Sequence, residues 1–389
     1  MPCDIVFLST ADWGNPFWTN KQHVAQELAS IGYRVLYIDS LGLRRPSANH
    51  RDMKRIVRRL LRAVSPPNQV HNNLWVWSPV MLPWHDNIFI RKINRIILST
   101  GLEIWLRLLR FERHMLWTYN PLTTEFLDIT RFSYRVYHCV DEIKAQPGMP
   151  VELLGEVEKQ LVRNVDIVFT TSPMLTETRG NWNNNTHYLP NVADYRHFSK
   201  AQQEQTKVPP DLSVIPHPII GFIGAISSYK IDFQLLRRIA EVHPEWSIVL
   251  IGEVGEGDPW TESTLLEGLD NLYLLGPKSY QTLPAYLKGF DVAMLPNSIN
   301  AYTDAMFPMK LFEYLASGVP VVSVNLKAIQ EFADVITIAG SPEKFIASIE
   351  NVLAGNVPSL KQRLDVAAQH TYEVRTKKML TLLEKVCDK

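Results

Sequence analysis

The chain has 389 residues, of which 46% are hydrophobic and 21% charged, with a formal net charge of +0. That length suits about two domains, and the neutral balance argues against a general nucleic-acid binder. Cys3, Cys139 and Cys387 stand far apart without a C-x-x-C pair, which suggests neither a disulfide framework nor a zinc site and fits a reducing compartment.

In chain order, Ile5 to Ser9 predicts a buried strand of ordinary length rather than a signal peptide, and no apolar run reaches membrane-spanning length. A loop dense in turn formers and aromatics, Thr10 to Trp18, follows, with Asp12, Trp13 and Asn15 in it. Thr19 or Asn20 can cap a helix from Lys21 that ends at Gly32, and Arg34 to Asp39 predicts the next strand. This βαβ opening implies a parallel sheet. It lacks the G-x-G-x-x-G fingerprint of dinucleotide binders. The first loop sits at a strand's carboxyl end, where open α/β sheets bind ligands.

Residues 44–62 set Arg44, Arg45, Arg51, Lys54, Arg55, Arg58, Arg59 and Arg62 against a single acid, Asp52, with apolar residues at helical spacing opposite. A second basic amphipathic stretch runs from Ile88 to Leu109. Two readings stand: helices at 51–62 and 88–110 lying on an anionic membrane, or domain helices with solvated basic faces. Leu74–Ser78, His114–Thr118, Arg135–Val140 and Val165–Thr171 predict further strands, and Val151–Asn164 a helix. Asp141 and Glu142 follow one of these strands, either as site carboxylates or as turn and cap residues. The sequon Asn184-Asn185-Thr186 reads as a polar turn.

The Gln- and Pro-rich run 200–218 predicts a linker. Domains are accordingly expected at 1–199 and 219–365, with a last helix over 366–386 returning to the first domain within 366–389. Ile219–Ile223 restarts the βα alternation and ends at Gly224, where a backbone can come close to a ligand. Ser227, Ser228 and Lys230 can line a phosphate-facing loop, a helix follows over 232–242, and Ser247–Gly252, Leu272–Gly276 and Val292–Pro296 predict strands. Ser279 can cap a helix. Pro308 to Pro320 then predicts a short helix ending at Gly318 on a core strand, Val319–Val324. Lys310 and Glu313 share a face of that helix. They form either a surface salt bridge or a nucleotide site, with the cation near a phosphate and the carboxylate on a ribose diol.

With these residues in order, the chain resembles the glycosyltransferases of the GT-B architecture, specifically the large retaining family called family 4, in its branch for bacterial surface polysaccharides such as teichuronic acid. The signposts are Lys21-Gln22-His23, Val136 to Glu142, Thr171-Ser172-Pro173, Leu189 to Asp194, Gly221 to Gly224, Asp291 to Pro296 and, most specific, Pro308 to Pro320. The resemblance implies an α/β fold of two doubly wound Rossmann-like domains facing across a cleft. It implies sugar transfer from a nucleotide diphosphate sugar to a hydroxyl of a glycan or lipid-linked acceptor, with retention and without a metal or resident cofactor. It assigns Glu313 to the donor ribose, Lys230 and Lys310 to the diphosphate, and the segment with Lys278 and Ser279 to the nucleobase side. Gly224, Met306, Phe307 and Leu311 join the donor side. Asp141 and His23, with Lys230, are the catalytic candidates, and Asp12, Trp13 and Asn15 lie on the acceptor side.

Two positions depart from the family pattern. Ala305 stands where a second glutamate is usual, one place after Asp304, and Ala225 stands where many relatives have arginine. Other readings of the same architecture are a nucleotide-sugar 2-epimerase and a non-catalytic nucleotide-sugar-binding protein. The compartment expected is the cytoplasm, at the inner membrane face if the basic helices touch lipid.

Overall fold

A computed structural model describes residues 4–15, 18–42, 66–82, 87–112, 114–256, 258 and 261–387. The basic helix expected over 51–62 lies outside the described residues. The chain divides into two compact units, Met1–Leu189 with Thr376–Lys389, and Pro190–Arg375.

The first unit begins with β1 (Asp4–Leu8), α1 (Asn20–Ile31) and β2 (Val35–Ile38). An edge pair follows, β3 (Asn68–His71) and β4 (Leu74–Trp77), then α2 (Ile88–Leu108). β5 (His114–Thr118), β6 (Tyr134–Cys139), α3 (Val151–Asn164), β7 (Ile167–Thr170), α4 (Pro173–Gly180) and β8 (Thr186–Tyr188) complete it. The sheet order is β3-β4-β2-β1-β5-β6-β7-β8. Every neighbour pairs in parallel except β3 with β4. Ile5 to Leu8 are fully buried, as a strand covered on both faces requires. α1 starts on Thr19, whose amide donates to Gln22 Oε1 at 3.0 Å, and stops at Gly32, whose φ of 110° suits glycine.

The second unit holds β9 (Ile219–Ile223), α5 (Phe233–Val242), β10 (Ser247–Ile251), β11 (Leu272–Leu274) and β12 (Val292–Leu295). α6 (Lys310–Ser317), β13 (Val321–Val324), β14 (Thr337–Ala339), α7 (Pro342–Leu353) and α8 (Leu360–Gln369) follow, and then α9 (Tyr372–Cys387), which belongs to the first unit from Thr376 onward. Its all-parallel order is β11-β10-β9-β12-β13-β14. Alternate residues feed the two faces. Ile219, Ile223, Val249, Ile251, Ala293 and Leu295 enter one apolar core, and Ile220, Phe222, Ile248, Leu250, Val292 and Met294 the other. The apolar runs in the sequence are continuous because both faces are covered.

Three expectations need correction. The run 200–218 is not a free linker: Leu212 and Ile215 are buried in the second unit's core, as is Phe198 just before them, and Ala201 is buried too. These apolar side chains lie among the glutamines and prolines, and short helices at Tyr195–Phe198 and Pro210–Ser213 turn them inward. The boundary between the units therefore falls at Pro190. The last helix is two helices, interrupted at His370, whose carbonyl accepts from the Ala193 amide at 3.2 Å while Thr371 forms a β-bridge with Ala193. The short strands β3, β8 and β14 were not anticipated. Among the described residues no helix is long and apolar enough to cross a membrane.

Candidate functional site

In a doubly wound sheet, ligands sit outside the carboxyl ends of the strands where the strand order reverses. In the second unit that point lies between β9 and β12. Three glycines follow the successive strand ends on the β9 side of it, Gly224 after β9, Gly252 after β10 and Gly276 after β11. The Gly224 amide donates to the Ile251 carbonyl at 2.9 Å, and the Gly252 amide to the Gly276 carbonyl at 3.1 Å. A Cβ on Gly252 would lie 1.8 Å from the Gly224 carbonyl oxygen, so the two backbones approach only because Gly252 has no side chain, while a Cβ on Gly224 would crowd the Phe222 ring at 2.8 Å.

The loop after β9 and the loop after β12 are sewn together over this floor. The Lys230 carbonyl accepts from the Ser298 amide at 3.0 Å and from Asn297 Nδ2 at 3.1 Å. Asn300 Nδ2 donates to the Tyr229 carbonyl at 2.7 Å, while Asn300 Oδ1 caps the short helix Ala301–Asp304. The Lys230 ammonium lies 5.2 Å from the centre of the Tyr229 ring and 5.9 Å from that of Tyr302. Aromatic faces hold a cation without cancelling its charge.

α6 starts beside this loop pair. Tyr314 on α6 reaches β9, its hydroxyl accepting from the Ile223 amide at 2.9 Å, one residue before Gly224. Glu313 is only 5% exposed, so the surface salt-bridge reading fails for it. Lys310 Nζ donates to Glu313 Oε2 at 2.8 Å within the same helix. Its place in the first turn of α6 favours a carboxylate there. Its charge also reaches Tyr280 and His197, whose rings stack with centroids 4.3 Å apart, His197 Nε2 lying 2.8 Å from the Tyr280 carbonyl. Burial first, then the Glu313 charge, raises the Tyr280 phenol well above its ordinary value. Burial lowers the His197 imidazole, against the opposing pull of the Tyr280 carbonyl.

Several donor-side residues sit otherwise than the sequence suggests. Phe307 and Leu311 are core residues, Phe307 stacking on Phe312 at 5.5 Å, so neither side chain can line a ligand. Lys278 is held by Asp211, Nζ to Oδ2 at 2.7 Å, a bond that raises the lysine's pKa and lowers that of the aspartate. That cation is already neutralised. Ser279 is exposed and accepts through its carbonyl from the Thr282 amide at 3.0 Å, and Met306 is half-buried beside Ala305. Ala305 is fully buried, and Asp304 is bonded by Lys327 at 3.1 Å.

In the first unit the order reverses between β1 and β5. The loop after β1 is fixed from below: Tyr37 Oη donates to the Ala11 carbonyl at 2.8 Å, and Asp39 Oδ1 accepts from the Trp13 amide at 2.7 Å. The Asp12 carbonyl accepts from Gln22 Nε2 at 3.0 Å and from the Asn15 amide at 3.1 Å. Trp13, Trp18 and His23 form a ring series, with centroids 4.8 Å and then 5.3 Å apart. Asp141 lies 4.0 Å from Lys21 Nζ, which also faces the Tyr119 ring at 5.8 Å. Asp12, Trp13, Asn15 and His23 thus share one loop-and-helix start, and Asp141 reaches α1 through Lys21.

Glu142 is a structural residue. Arg179 Nη1 donates to Glu142 Oε2 at 2.6 Å, and Arg179 Nη2 donates to both Glu158 oxygens at 2.8 Å. Sequence reading missed Arg179, His197, Asn297 and Asn300 as organising residues, while Tyr280 closes the segment 276–280 that the resemblance set on the nucleobase side. Only Asn300 carried a legible signal, the Asn-x-x-Thr spacing of a cap. Among the described residues no group of three or more His, Cys, Asp or Glu side chains is placed to hold a metal ion.

The glycosyl transferases group 1 family matches residues 217–355. A Bacillus subtilis (strain 168) protein named as the teichuronic acid biosynthesis glycosyltransferase TuaH is 28% identical over 266 residues, 63% of this chain. The matched region spans 65% of that curated relative's length. Among solved structures, sucrose-phosphate synthase from Thermosynechococcus elongatus superposes with a TM-score of 0.69 at 15% identity, covering 99% of both chains. Trehalose 6-phosphate synthase from Burkholderia multivorans gives 0.68 at 12%, covering 100% of this chain and 99% of that one. Anabaena HepE in complex with UDP gives 0.65 at 14%, covering 99% and 100%. Residues 217–355 therefore carry a glycosyl transferases group 1 domain, and the chain as a whole has the two-domain GT-B fold.

Proposed function

We propose that this protein transfers a sugar from a nucleotide diphosphate sugar to a hydroxyl of a glycan or lipid-linked acceptor in surface polysaccharide synthesis, with retention at the anomeric carbon. The observation that carries the reading is Glu313, a buried carboxylate in the first turn of α6, beside the glycine-lined strand ends at the switch point of the second unit. A ribose diol offers two hydroxyl donors to such a carboxylate, and the adjoining Tyr280 and His197 rings offer apolar faces to a base. HepE, solved with UDP and with UDP-glucose, supports a uridine nucleotide as the first donor to try.

The chemistry asks for stabilisation of the departing diphosphate more than for a strong nucleophile. Lys230 lies over two aromatic rings and, among the described residues, supplies a charge that no carboxylate needs to release, and preorganised charge near developing negative charge lowers the barrier. The leaving phosphate itself assists front-face attack by the acceptor hydroxyl. On the acceptor side, Asp12, Trp13, Asn15 and His23 shape the approach, and Asp141 with Lys21 orients the incoming hydroxyl. The reading takes the cytoplasm as the compartment, in keeping with Cys139 as a buried free thiol.

Calorimetric titration with UDP, GDP and dTDP and their sugars tests the donor site. Wild type should bind one nucleotide class, and Glu313→Gln should weaken that binding by roughly 30-fold or more, the loss of two charge-assisted hydrogen bonds. Unchanged affinity in the variant removes the ribose role. No nucleotide binding at all removes the transferase reading. Free nucleotide formed without any acceptor, with an epimerised sugar, would replace it by isomerisation.

A further inference from the structure

We propose that the outer face of α2 is a docking surface for an anionic lipid bilayer. α2 is 21 residues long and buries one stripe, Asn94, Leu98, Leu102 and Leu106, against the first unit. Its opposite stripe is also apolar. Phe89, Ile93, Ile96, Ile97 and Ile104 recur at helical spacing and are 71%, 45%, 67%, 37% and 49% exposed. With Ile88 and Leu108 at the ends, α2 holds seven of the sixteen large exposed hydrophobic side chains among the described residues. A helix of a soluble domain turns charged residues to this side. Contiguous exposed apolar surface marks an interaction site.

The occupant is indicated by charge. Lys92, Arg95 and Arg107 stand on the exposed part of the helix, and all three are exposed. The acids nearby among the described residues are paired: Glu103 with Arg131, Asp128 with the same Arg131 at 3.9 Å and within reach of the Arg95 charge, and Glu125 with Arg91 at 2.7 Å. The face is therefore apolar and net positive, which matches acyl chains under anionic headgroups. A second copy would set two positive faces against each other. The chain's own segment 44–62 is equally basic and would suffer the same repulsion. A bilayer contact of this kind lies along the helix, since α2 carries too many charges to span. The proposal is independent of sugar transfer, but it favours an acceptor presented at a membrane surface.

The test is flotation of the full chain with phosphatidylcholine vesicles and with vesicles containing roughly one-third phosphatidylglycerol. Wild type should rise with the anionic vesicles and lose that binding in high salt, each basic side chain contributing roughly a factor of five. Ile93→Asn/Ile96→Asn should weaken anionic vesicle binding at least about tenfold, because two exposed isoleucines no longer enter the interface. Lys92→Glu/Arg95→Glu/Arg107→Glu should abolish it. Both variants change exposed side chains, and matched thermal melts establish that they fold. The proposal is overturned if wild type stays in the soluble fraction, or if the Asn variant floats as well as wild type. It is equally overturned if the variants change only sedimentation of the free protein, which would identify a second copy as the occupant. Loss of flotation by charge reversal at Lys54, Arg55, Arg58 and Arg59, with the α2 variants unaffected, would move the surface to that segment.

Discussion

Arg179→Met should be among the most damaging single substitutions in the first unit. The guanidinium is fully buried and lies between two buried carboxylates, Glu142 and Glu158. It gives Glu158 three hydrogen bonds, from Nε at 3.2 Å and from Nη2 to each oxygen at 2.8 Å, and gives Glu142 two, at 2.6 and 3.0 Å. Tyr137 adds a fourth to Glu158 at 2.7 Å. Methionine fills similar volume but leaves two carboxylates with most of their donors gone. Breaking a buried pair in this way costs about 3–5 kcal/mol, the larger part being the stranded charge. With a urea slope of about 2 kcal/mol/M the midpoint should fall by roughly 1.5–2.5 M. Tryptophan fluorescence reads the right unit, since eight of the ten tryptophans lie before residue 190. The triple variant Arg179→Met/Glu142→Gln/Glu158→Gln should recover most of the loss, because no charge is then left unpaired. Arg179→Lys should fall between, one ammonium being unable to serve both forks. A loss below about 1 kcal/mol for Arg179→Met would refute the network as a stability element. A triple variant as unstable as the single would refute stranded charge as the cause.

Gly252→Ala should prevent the second unit from folding stably, since its Cβ would meet a backbone oxygen at 1.8 Å; a soluble variant with wild-type circular dichroism and melting would contradict the close approach. His197 is held neutral by burial, its pKa below the usual 6.5, so the unfolded chain binds its proton first as pH falls. The stability it supports is full above about pH 6.5 and shrinks as pH drops toward the folded pKa. Melting at pH 7.5 and 5.5 should show a smaller acid loss in His197→Gln than in wild type, and equal losses would exclude this residue as the source. Ala305→Glu should destabilise by several kcal/mol, as an unpaired carboxylate forced into a fully buried position, and should not raise transfer. A stable and faster variant would show that the site accepts the missing glutamate.

The central strands could be read because they are continuous apolar runs, and the runs are continuous because both sheet faces are covered. β3, β8 and β14 lie at or next to sheet edges, and two of them are mostly polar, Asn68 to His71 and Thr186 to Tyr188. A half-covered short strand leaves no run to find. The stretch 200–218 has a linker's composition, yet a few buried side chains decide its position and composition averages them away. Residue order also located Pro308 to Pro320, Gly224 and Lys230 at one switch point. It could not tell which side chains around them face inward. Phe307 and Leu311 neighbour the site in sequence and point into the core. Lys278 meets Asp211 from 67 positions away, a pairing that local spacing cannot express.

The three lysines that the resemblance set around the donor, similar on paper, are thereby sorted by their partners. Lys278 is neutralised by Asp211, and its removal from that contact would expose a carboxylate for no gain. Lys230 lies over two aromatic rings and can turn to an anion while keeping its charge. Lys310 is the conditional one. Its ammonium satisfies Glu313, which is too buried to be left alone without a desolvation cost. Under the proposed function, ribose hydroxyls donating to Glu313 replace the bond that Lys310 makes. Only then can Lys310 swing toward the diphosphate without stranding the carboxylate. Nucleoside recognition and assembly of the second cation would then be one step, so a pyrophosphate without its nucleoside should engage Lys230 but leave Lys310 on Glu313.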